Sequence, residues 1–411
     1  MRVKALVLFV VTLALAASAQ AGTDTVLYSF CAQTSCVDGV YPYGSLVADS
    51  SGHLYGTTYE GGTNNYGSVF ELILSGGTWT ETVIYSFLGP SNSDGANPVA
   101  GLVFDGDGNL YGTTEYGGAS SEGTVFELSK SGGTWKETLL HTFDDISGSD
   151  GYYPYGVLTF DAAGNLYGTT PNGGKLGGGT VFQLKPSGSK YTYKVIHGFT
   201  NSASSAYYPY GGVVVDSKNG YLYGTTYYGG LVWNVGAVYQ LREVSGVWIF
   251  SVVYNFLGDS LGQYSESGLA VDASGNLYGT NYQGGDFNLG DVFKLTLGSG
   301  NKFTEKVIYS FKGYAKKDGA YPYFAGLTLD SAGNLYGSTY QGGSSTANNL
   351  NYGTVYKLDA STYKESVLWS FGTTGDGYNP YHQPILVGGK LYGTTNSGGL
   401  HSGGAVYELA P

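Results

Sequence analysis

The triplet Leu-Tyr-Gly occurs seven times along the chain, and this repetition limits the possible folds more than any other feature of the sequence. Successive copies lie 55 to 58 residues apart. A period this constant indicates one structural unit that is used seven times. A β-sandwich would not require a fixed period, and the repeat of a parallel β-helix is much shorter. The tyrosines of the triplets are Tyr55, Tyr111, Tyr167, Tyr223, Tyr278, Tyr336 and Tyr392.

Each unit contains four short segments that are rich in β-branched or aromatic residues and are bounded by Gly, Asp, Asn or Ser. In the second unit these segments are Gly101–Asp105, Asn109–Thr114, Thr124–Leu128 and Glu137–Phe143. Such segments are typical of strands, and no sustained helical periodicity competes with them. Four strands in each of seven repeats predict an all-β fold, a seven-bladed β-propeller with four-stranded blades.

The two ends of the repeat array are out of register in a complementary way. Thr25–Phe30 matches the fourth strand of a unit, as in Thr82–Phe87, but no strands one to three precede it. The seventh unit stops after its third strand, Ala405–Leu409. We therefore expect the N-terminal strand to complete the last blade, which would close the ring and remove an open sheet edge.

The first residues have the pattern of a secretory signal peptide. Arg2 and Lys4 precede the apolar run Ala5–Ala17, and Ala19-Gln20-Ala21 forms an A-x-A cleavage site. The run is short for a membrane span. We expect residues 1–21 to be removed and residues 22–411 to form one secreted or periplasmic propeller. No later segment is apolar for long enough to span a membrane, and we expect a monomer.

The charge and the cysteines narrow the classes of partner. The net charge is −12, and loss of Arg2 and Lys4 would make it two units more negative. A nucleic-acid-binding protein needs a basic surface, which this sequence lacks.

Cys31 and Cys36 are the two cysteines, and in an exported chain two nearby cysteines usually form a disulfide.

The repeat resembles that of the bacterial GloVer tandem-repeat proteins, the "choice-of-anchor" group. The resemblance rests on GNLYGTT at Gly164–Thr170, the Gly-Gly that follows, and the GTVFEL-like segment GTVFQL at Gly179–Leu184. It extends over essentially all of residues 22–411. It implies an exported, surface-associated repeat protein and no established activity. A C-terminal anchor segment of the kind found in that group is not visible in this sequence.

Candidate motifs for metal binding, phosphate binding and nucleophilic catalysis lack residues that those sites require. Asp105–Asn109 begins like a calcium loop, but the sixth position of such a loop requires Gly and is Leu110. The glycine-rich segment Gly173–Gly177 lacks the Ser or Thr of a phosphate loop. His141 and His197 occupy a fourth-strand position that is Tyr in sister units, which indicates packing. We therefore predict no metal, no cofactor and no catalysis.

A repeated loop with the pattern Asp-Gly-x-Tyr-Pro-Tyr precedes several first strands, as in Asp38–Tyr43 and Asp318–Tyr323. Its tyrosines could stack on the apolar faces of sugar rings. They could equally be packing spacers between blades, which is the simpler interpretation because seven equal sites are rarely all ligand sites.

Departures from the repeat suggest where a specific ligand binds. In a four-stranded meander, the long connections after strands two and four emerge on one face, and loops on a rigid scaffold carry most binding residues. The unusual residues of blades four to six on that face are the candidate ligand-binding set, with neutral loop variation as the alternative: Trp233, Tyr264, Glu266, Asp286, Phe287 and Tyr352.

These observations favour a secreted, non-catalytic scaffold that binds an extracellular carbohydrate or protein through its long-loop face. Two alternatives remain open, a polysaccharide-active hydrolase or lyase, and a purely structural component of an envelope or matrix. Unpaired acids, histidines or arginines converging at the channel mouth would indicate an enzyme, and exposed aromatic residues there would indicate a binding protein.

Overall fold

The computed structural model describes residues 24–144, 148–188, 190–202, 205–231, 234–344 and 352–411. These residues form seven four-stranded antiparallel sheets in a ring, as the repeat predicts. The proposed signal peptide and Trp233 lie outside the described residues. No helix among the described residues is long and apolar enough to cross a membrane.

The strands of each blade are called A to D in order from the central channel outward. Blade one comprises Val47–Ala48, Leu54–Thr58, Ser68–Ser75 and Thr78–Ser86. Blade two comprises Val103–Phe104, Leu110–Thr114, Thr124–Ser131 and Thr134–Thr142. Blade three comprises Thr159–Phe160, Leu166–Thr170, Gly177–Ser187 and Lys190–Thr200. Blade four comprises Val214–Asp216, Tyr221–Thr226, Ala237–Val244 and Val247–Asn255.

The remaining blades follow the same order. Blade five comprises Ala270–Val271, Leu277–Asn281, Asp291–Leu297 and Phe303–Ser310. Blade six comprises Thr328–Leu329, Leu335–Thr339, Thr354–Leu358 and Glu365–Ser370. Blade seven comprises Ile385–Val387, Lys390–Thr395 and Ala405–Leu409, with Asp24–Ser29 as its strand D. In blade two, strands C and D extend beyond the predicted bounds because they continue into a long outer hairpin, whereas strand A is only two residues long.

Short pairings and single turns of 3-10 helix lie in the connections between the strands. The two-residue pairings are Gly95–Ala96 with Tyr116–Gly117, Gly151–Tyr152 with Asn172–Gly173, Gly319–Ala320 with Gln341–Gly342, and Gly377–Tyr378 with Ser397–Gly398. The 3-10 turns are Thr34–Cys36, Pro90–Asn92, Asp259–Leu261, Ser299–Asn301 and Tyr314–Lys316.

The Leu-Tyr-Gly triplet of strand B supplies both faces of a blade. Leu54 is fully buried, and the ring of Tyr55 on the opposite face packs edge-to-face on Phe104 of the next blade, with centroids 5.2 Å apart. A Cβ atom at Gly56 would lie 2.6 Å from Cζ of Phe70 on strand C. Glycine is therefore required for the Phe70 ring to lie across strand B, which explains why the triplet recurs in every blade.

Adjacent blades are joined by a repeated hydrogen bond. Thr57 Oγ1, at the end of strand B, donates to the carbonyl oxygen of Ala100 in the approach to the next strand A, at 3.0 Å. Thr394 Oγ1 makes the same bond across the closing junction, to the Gly44 carbonyl oxygen at 3.0 Å. These bonds hold the start of a strand A at a fixed position against its neighbour, and the exception is blade two, where the equivalent Thr113 Oγ1 has no hydrogen-bond partner among the described residues.

The ring closes as the sequence predicts. Strand Asp24–Ser29 pairs antiparallel with Ala405–Leu409, and Asp24 lies opposite Leu409. The disulfide between Cys31 and Cys36, also predicted, follows this closing strand directly. Tyr28 in the strand donates its hydroxyl to Asp38 Oδ2 at 2.8 Å, which ties the closing strand to the first connecting loop.

Asp105 caps the turn between strands A and B of blade two. Its Oδ1 accepts the backbone N–H of Asp107 and of Asn109, each at 2.9 Å, and Gly108 supplies a φ of +87°. The Asp105 carboxylate is therefore used by its own turn, as expected for a hairpin rather than for a calcium loop.

Candidate binding site at the channel mouth

Two rings of side chains surround the end of the channel where strands A begin and strands B end. The first ring, here the mouth ring, is the residue that follows the loop proline, or Ser265 in blade five. Its members are Tyr43, Val99, Tyr155, Tyr210, Glu266, Tyr323 and Tyr381. The second ring, here the collar, is the residue directly after each strand B. Its members are Tyr59, Glu115, Pro171, Tyr227, Tyr282, Tyr340 and Asn396.

Edge-to-face contacts link the tyrosines of the mouth ring. The Tyr43 and Tyr381 rings lie 4.8 Å apart, and Tyr381 lies 5.0 Å from Tyr323. Tyr43 also packs on Tyr59 of the collar at 5.2 Å. The five mouth-ring tyrosines are half-buried, so each packs against its neighbours and still presents part of its surface. The Tyr-Pro-Tyr loops thus act in packing and also form an aromatic surface at one end of the channel.

Phe324 is an additional residue that places a ring in the channel. In blade one, Tyr43 directly precedes Gly44, the acceptor of the inter-blade hydrogen bond. In blade six, the equivalent acceptor is Ala325, which receives a bond from Thr280 Oγ1 at 2.9 Å, and Phe324 stands between it and Tyr323. The Phe324 ring is only 6% exposed and stacks on Tyr381 at 5.2 Å and on Tyr155 at 5.9 Å. The insertion therefore connects blade six with blade three across the channel.

A gap in the mouth ring at Val99 opens a small cavity. Because Val99 lacks a ring, a cavity of about 190 Å³ remains, lined by Tyr43, Tyr59, Val99, Glu115, Tyr155 and Tyr381. Glu115 of the collar is only 5% exposed and accepts the Tyr155 hydroxyl at 2.6 Å. The cavity thus combines aromatic walls with an acid held in one orientation.

Glu266 occupies the mouth-ring position of blade five. It lines a second cavity of about 210 Å³ inside the channel, together with Tyr155, Tyr210, Phe324 and His382. Its Oε2 is buried and has no hydrogen-bond partner. Burial raises the pKa of Glu266 to about 8. An acid in this environment either keeps its proton or requires a positive partner.

The histidines have structural partners. His382 is buried in the channel wall with Nδ1 2.6 Å from the Tyr43 carbonyl oxygen, and burial lowers the pKa of His382 to about 4, so the neutral ring donates this bond. His141 stacks on Tyr193 with centroids 3.5 Å apart and bonds to Asp150 at 2.8 Å, and His197 stacks on Phe250 at 4.0 Å. Among the described residues, no group of three or more His, Cys, Asp or Glu is placed to hold a metal ion.

The structure separates the residues that the sequence singled out as ligand-binding. Tyr264, two residues before Glu266 in the chain, stacks on the collar residue Tyr227 with centroids 5.0 Å apart. Asp286 and Phe287 are exposed on the loop between strands B and C of blade five. Tyr352 packs on Tyr378 at 4.7 Å. Among ring contacts of the described residues, neither Phe287 nor Tyr352 reaches the mouth ring.

Sequence reasoning did not identify Val99, Glu115 or Phe324. Two signals were nevertheless present. Val99 and Glu115 stand at repeat positions that are tyrosine in most other blades. Blade six has one residue more between Pro322 and strand A than the other blades have at the equivalent place. These signals become informative only when the repeat positions are known to converge on one channel.

Comparison with known proteins identifies a sequence family and a fold. The profile of the Gloeobacter/Verrucomicrobia repeat matches residues 12–159 and 137–350. No curated protein matches the sequence significantly.

Solved structures resemble the chain in fold. A fungal alcohol oxidase in complex with copper aligns with a TM-score of 0.60 at 14% identity, over 95% of this chain and 76% of that one. A candidate 6-phosphogluconolactonase from Bacteroides uniformis aligns with a TM-score of 0.51 at 15% identity, over 79% of this chain and 83% of that one. The periplasmic gluconolactonase of Pseudomonas aeruginosa aligns with a TM-score of 0.50 at 13% identity, over 80% and 85%. Identities this low establish the propeller and not an activity.

Proposed function

Because the chain belongs to the Gloeobacter/Verrucomicrobia repeat family, whose name specifies no chemistry, we propose from the site itself that the protein is an exported, non-catalytic propeller that binds a carbohydrate at its channel mouth. The observation that carries this proposal is the gap in the tyrosine ring at Val99, above the acid Glu115.

The chemistry of the mouth matches that of a sugar. A pyranose has apolar C–H faces and a rim of hydroxyl groups, and a tyrosine offers a flat apolar face with a hydroxyl at its edge. Tyr43, Tyr59, Tyr155 and Tyr381 supply four such rings around one cavity. Glu115 adds acceptor oxygens at a fixed position, because the Tyr155 hydroxyl orients its carboxyl group.

The size of the cavity restricts the ligand. About 190 Å³ is below the roughly 300–1,000 Å³ of pockets that enclose a drug-sized molecule. A single sugar ring, such as the end of a chain or one branch, is the matching size, and the neighbouring tyrosines would contact the adjacent units.

A binding role accounts for these groups better than catalysis does. His382 is buried, and burial lowers its pKa to about 4, which makes it a weak proton acceptor at neutral pH. The Tyr155 hydroxyl holds the Glu115 carboxyl group in an orientation in which its remaining lone pairs can accept hydrogen bonds from sugar hydroxyls. Export is supported by the Cys31–Cys36 disulfide, which is typical of oxidising compartments, and by the signal-peptide pattern of residues 1–21.

The proposal is tested by filling the gap. Val99→Tyr would restore the ring residue of the sister blades and occupy the cavity. We expect the unchanged protein, residues 22–411, to select oligosaccharides on a glycan array. Calorimetry with a selected sugar should show at least a tenfold loss of affinity in Val99→Tyr. The new ring would exclude the sugar from the cavity, and the loss of one buried aromatic contact costs about 1–3 kcal/mol of binding free energy. Thermal unfolding checks that the variant is folded.

The controls address the rival site on the outer loops and the rival function. Trp233→Ala and Phe287→Ala should leave binding unchanged if the mouth is the site. Loss of binding in these two variants together with normal binding by Val99→Tyr would contradict the proposed location. Release of shorter sugars from the selected glycan during prolonged incubation would contradict a non-catalytic role.

A further inference from the structure

Glu266 is the one acid that stands in the mouth ring itself. The equivalent residue is tyrosine in five other blades and valine in blade two. Glu266 is only 7% exposed, and its Oε2 has no hydrogen-bond partner. A buried acid without a partner destabilises the fold, so its presence here calls for a ligand that supplies the missing partner.

The surroundings of Glu266 are aromatic. Tyr210 and Phe324 line the same cavity as its side chain, with their rings 5.9 Å apart. Tyr323 of blade six and Tyr210 of blade four flank it in the ring, and its charge raises the pKa of both hydroxyls in addition to the effect of burial. The faces of aromatic rings carry partial negative charge, as a carboxylate does, so the whole environment favours a cation.

Within the described part of the chain, no positive group satisfies this environment. Burial is the cause of the raised pKa of Glu266, and no lysine, arginine or histidine charge contributes to it. A divalent metal is a poor match, because Ca²⁺ and Mg²⁺ require several oxygen ligands, and the described residues contain no cluster of acids around Glu266. A carboxylate within aromatic walls is instead the arrangement that binds an organic ammonium group.

We propose that the Glu266 side of the mouth binds an ammonium group, so that the preferred carbohydrate carries a free amine, as a deacetylated amino sugar does. This inference rests on the proposed function for the sugar and extends it to the charge of the ligand. Tyr155 lines both the cavity at Val99 and the cavity at Glu266, so one short chain can occupy the two together.

Binding of a cation should be coupled to loss of a proton from Glu266. The free protein holds this proton up to about pH 8, since burial raises the pKa, and the bound cation stabilises the carboxylate. The other titratable groups around Glu266 remain neutral over this range, because burial raises the pKa of the tyrosines and lowers that of the histidine. They are Tyr210, Tyr227, Tyr228, Tyr282, Tyr323, Tyr381 and His382.

The experiment compares a fully deacetylated glucosamine tetramer with the N-acetylated tetramer by calorimetry at about pH 7, where the amine is largely protonated. We expect the deacetylated tetramer to bind at least tenfold more tightly. In Glu266→Gln this preference should fall to about one, because a neutral amide cannot pair with the ammonium group. Glu266→Tyr, which restores the common ring residue, should lose the preference as well.

Glu81→Gln is the matched control. Glu81 is a half-buried acid whose pKa burial likewise raises to about 8, but it lies on strand D of blade one, away from the channel. The preference for the amine should survive in this variant. Thermal unfolding of all variants confirms that they are folded.

Tetramethylammonium, which has no proton to lose, tests the charge separately from the sugar. Its affinity should rise as the pH is raised towards 8 and should become independent of pH in Glu266→Gln. Equal affinity for the two tetramers, or a preference that persists in Glu266→Gln, would overturn the inference and leave the neutral sugar site at Val99 untouched. Tighter binding of a lysine peptide than of the glucosamine tetramer would also overturn it.

Discussion

Tyr155 donates its hydroxyl to Glu115 Oε1 at 2.6 Å across the junction between blades two and three. The bond joins a residue before strand A of one blade to a residue after strand B of the preceding blade. It holds both side chains at the wall of the Val99 cavity, so the same contact stabilises the junction and shapes the proposed sugar site.

Removal of this hydroxyl should cost stability. Tyr155→Phe removes the 2.6 Å hydrogen bond to the buried Glu115, and we expect the free energy of unfolding to fall by about 1–3 kcal/mol. Denaturant unfolding measures the change. Tyr210→Phe is the matched control, since the Tyr210 hydroxyl bonds to no carboxylate, and it should change stability by less than about 0.5 kcal/mol. Equal losses in the two variants would contradict the role assigned to the bond.

The stability of the propeller should fall as the pH rises above about 4.5. Burial, together with the nearby charge of Asp38, raises the pKa of Glu81 to about 8, and burial with Asp94 raises that of Glu137 to about 7. The folded protein keeps protons that the unfolded chain releases, so this contribution is complete below the unfolded pKa and is lost as the pH passes through 7 to 8. Three further half-buried acids behave in the same way: Asp24, Glu305 and Glu365.

The opposite end of the pH range is set by the turn aspartates. Partial burial raises the pKa of Asp105, but hydrogen bonds, chiefly those from Asn109, lower it by more, so the net pKa lies below the usual value. The stability that this carboxylate contributes is therefore lost as the solution becomes more acidic. We therefore expect the melting temperature to be highest near pH 4–5. Glu81→Gln should make the decline towards pH 8 shallower, whereas Asp107→Asn, at an exposed position, should not. A melting temperature that increases from pH 5 to pH 8 would refute this assignment.

The closing strand should be essential for a stable ring. Deletion of residues through Phe30 removes the partner of Ala405–Leu409 and the bond from Tyr28 to Asp38. The exposed edge of blade seven should then promote association between molecules, so we expect a lower melting temperature and aggregation. Light scattering during thermal unfolding measures both. A truncated protein with unchanged melting temperature and solubility would show that the ring does not depend on this strand.

Phe324 should contribute more to stability than a residue of a connecting loop normally does. Phe324→Ala removes stacking on Tyr155 and Tyr381 and enlarges an existing channel cavity, and we expect a loss of about 3 kcal/mol in denaturant unfolding. Phe287→Ala is the matched control. Its ring is 50% exposed on another loop, so the change should stay within about 0.5 kcal/mol.

The sequence alone determined the architecture, because every blade of a propeller is encoded by a similar segment of sequence. Seven copies of Leu-Tyr-Gly at a constant spacing, four strand-like segments per copy and complementary incomplete ends leave one arrangement that buries every apolar face. The closing pair and the disulfide followed from the same local signals, since both involve segments that are adjacent or have one matching partner.

Only the tertiary structure decided where the unusual residues meet. Val99 and Glu115 belong to blade two and Glu266 precedes strand A of blade five, and their spacing in the chain contains no sign that they surround one channel. Exposed loop residues such as Phe287 also depart from the repeat, but a departure in an outer loop has little effect on packing. The same kind of departure beside the channel axis leaves a cavity or an unpaired acid, because the side chains of seven blades converge there.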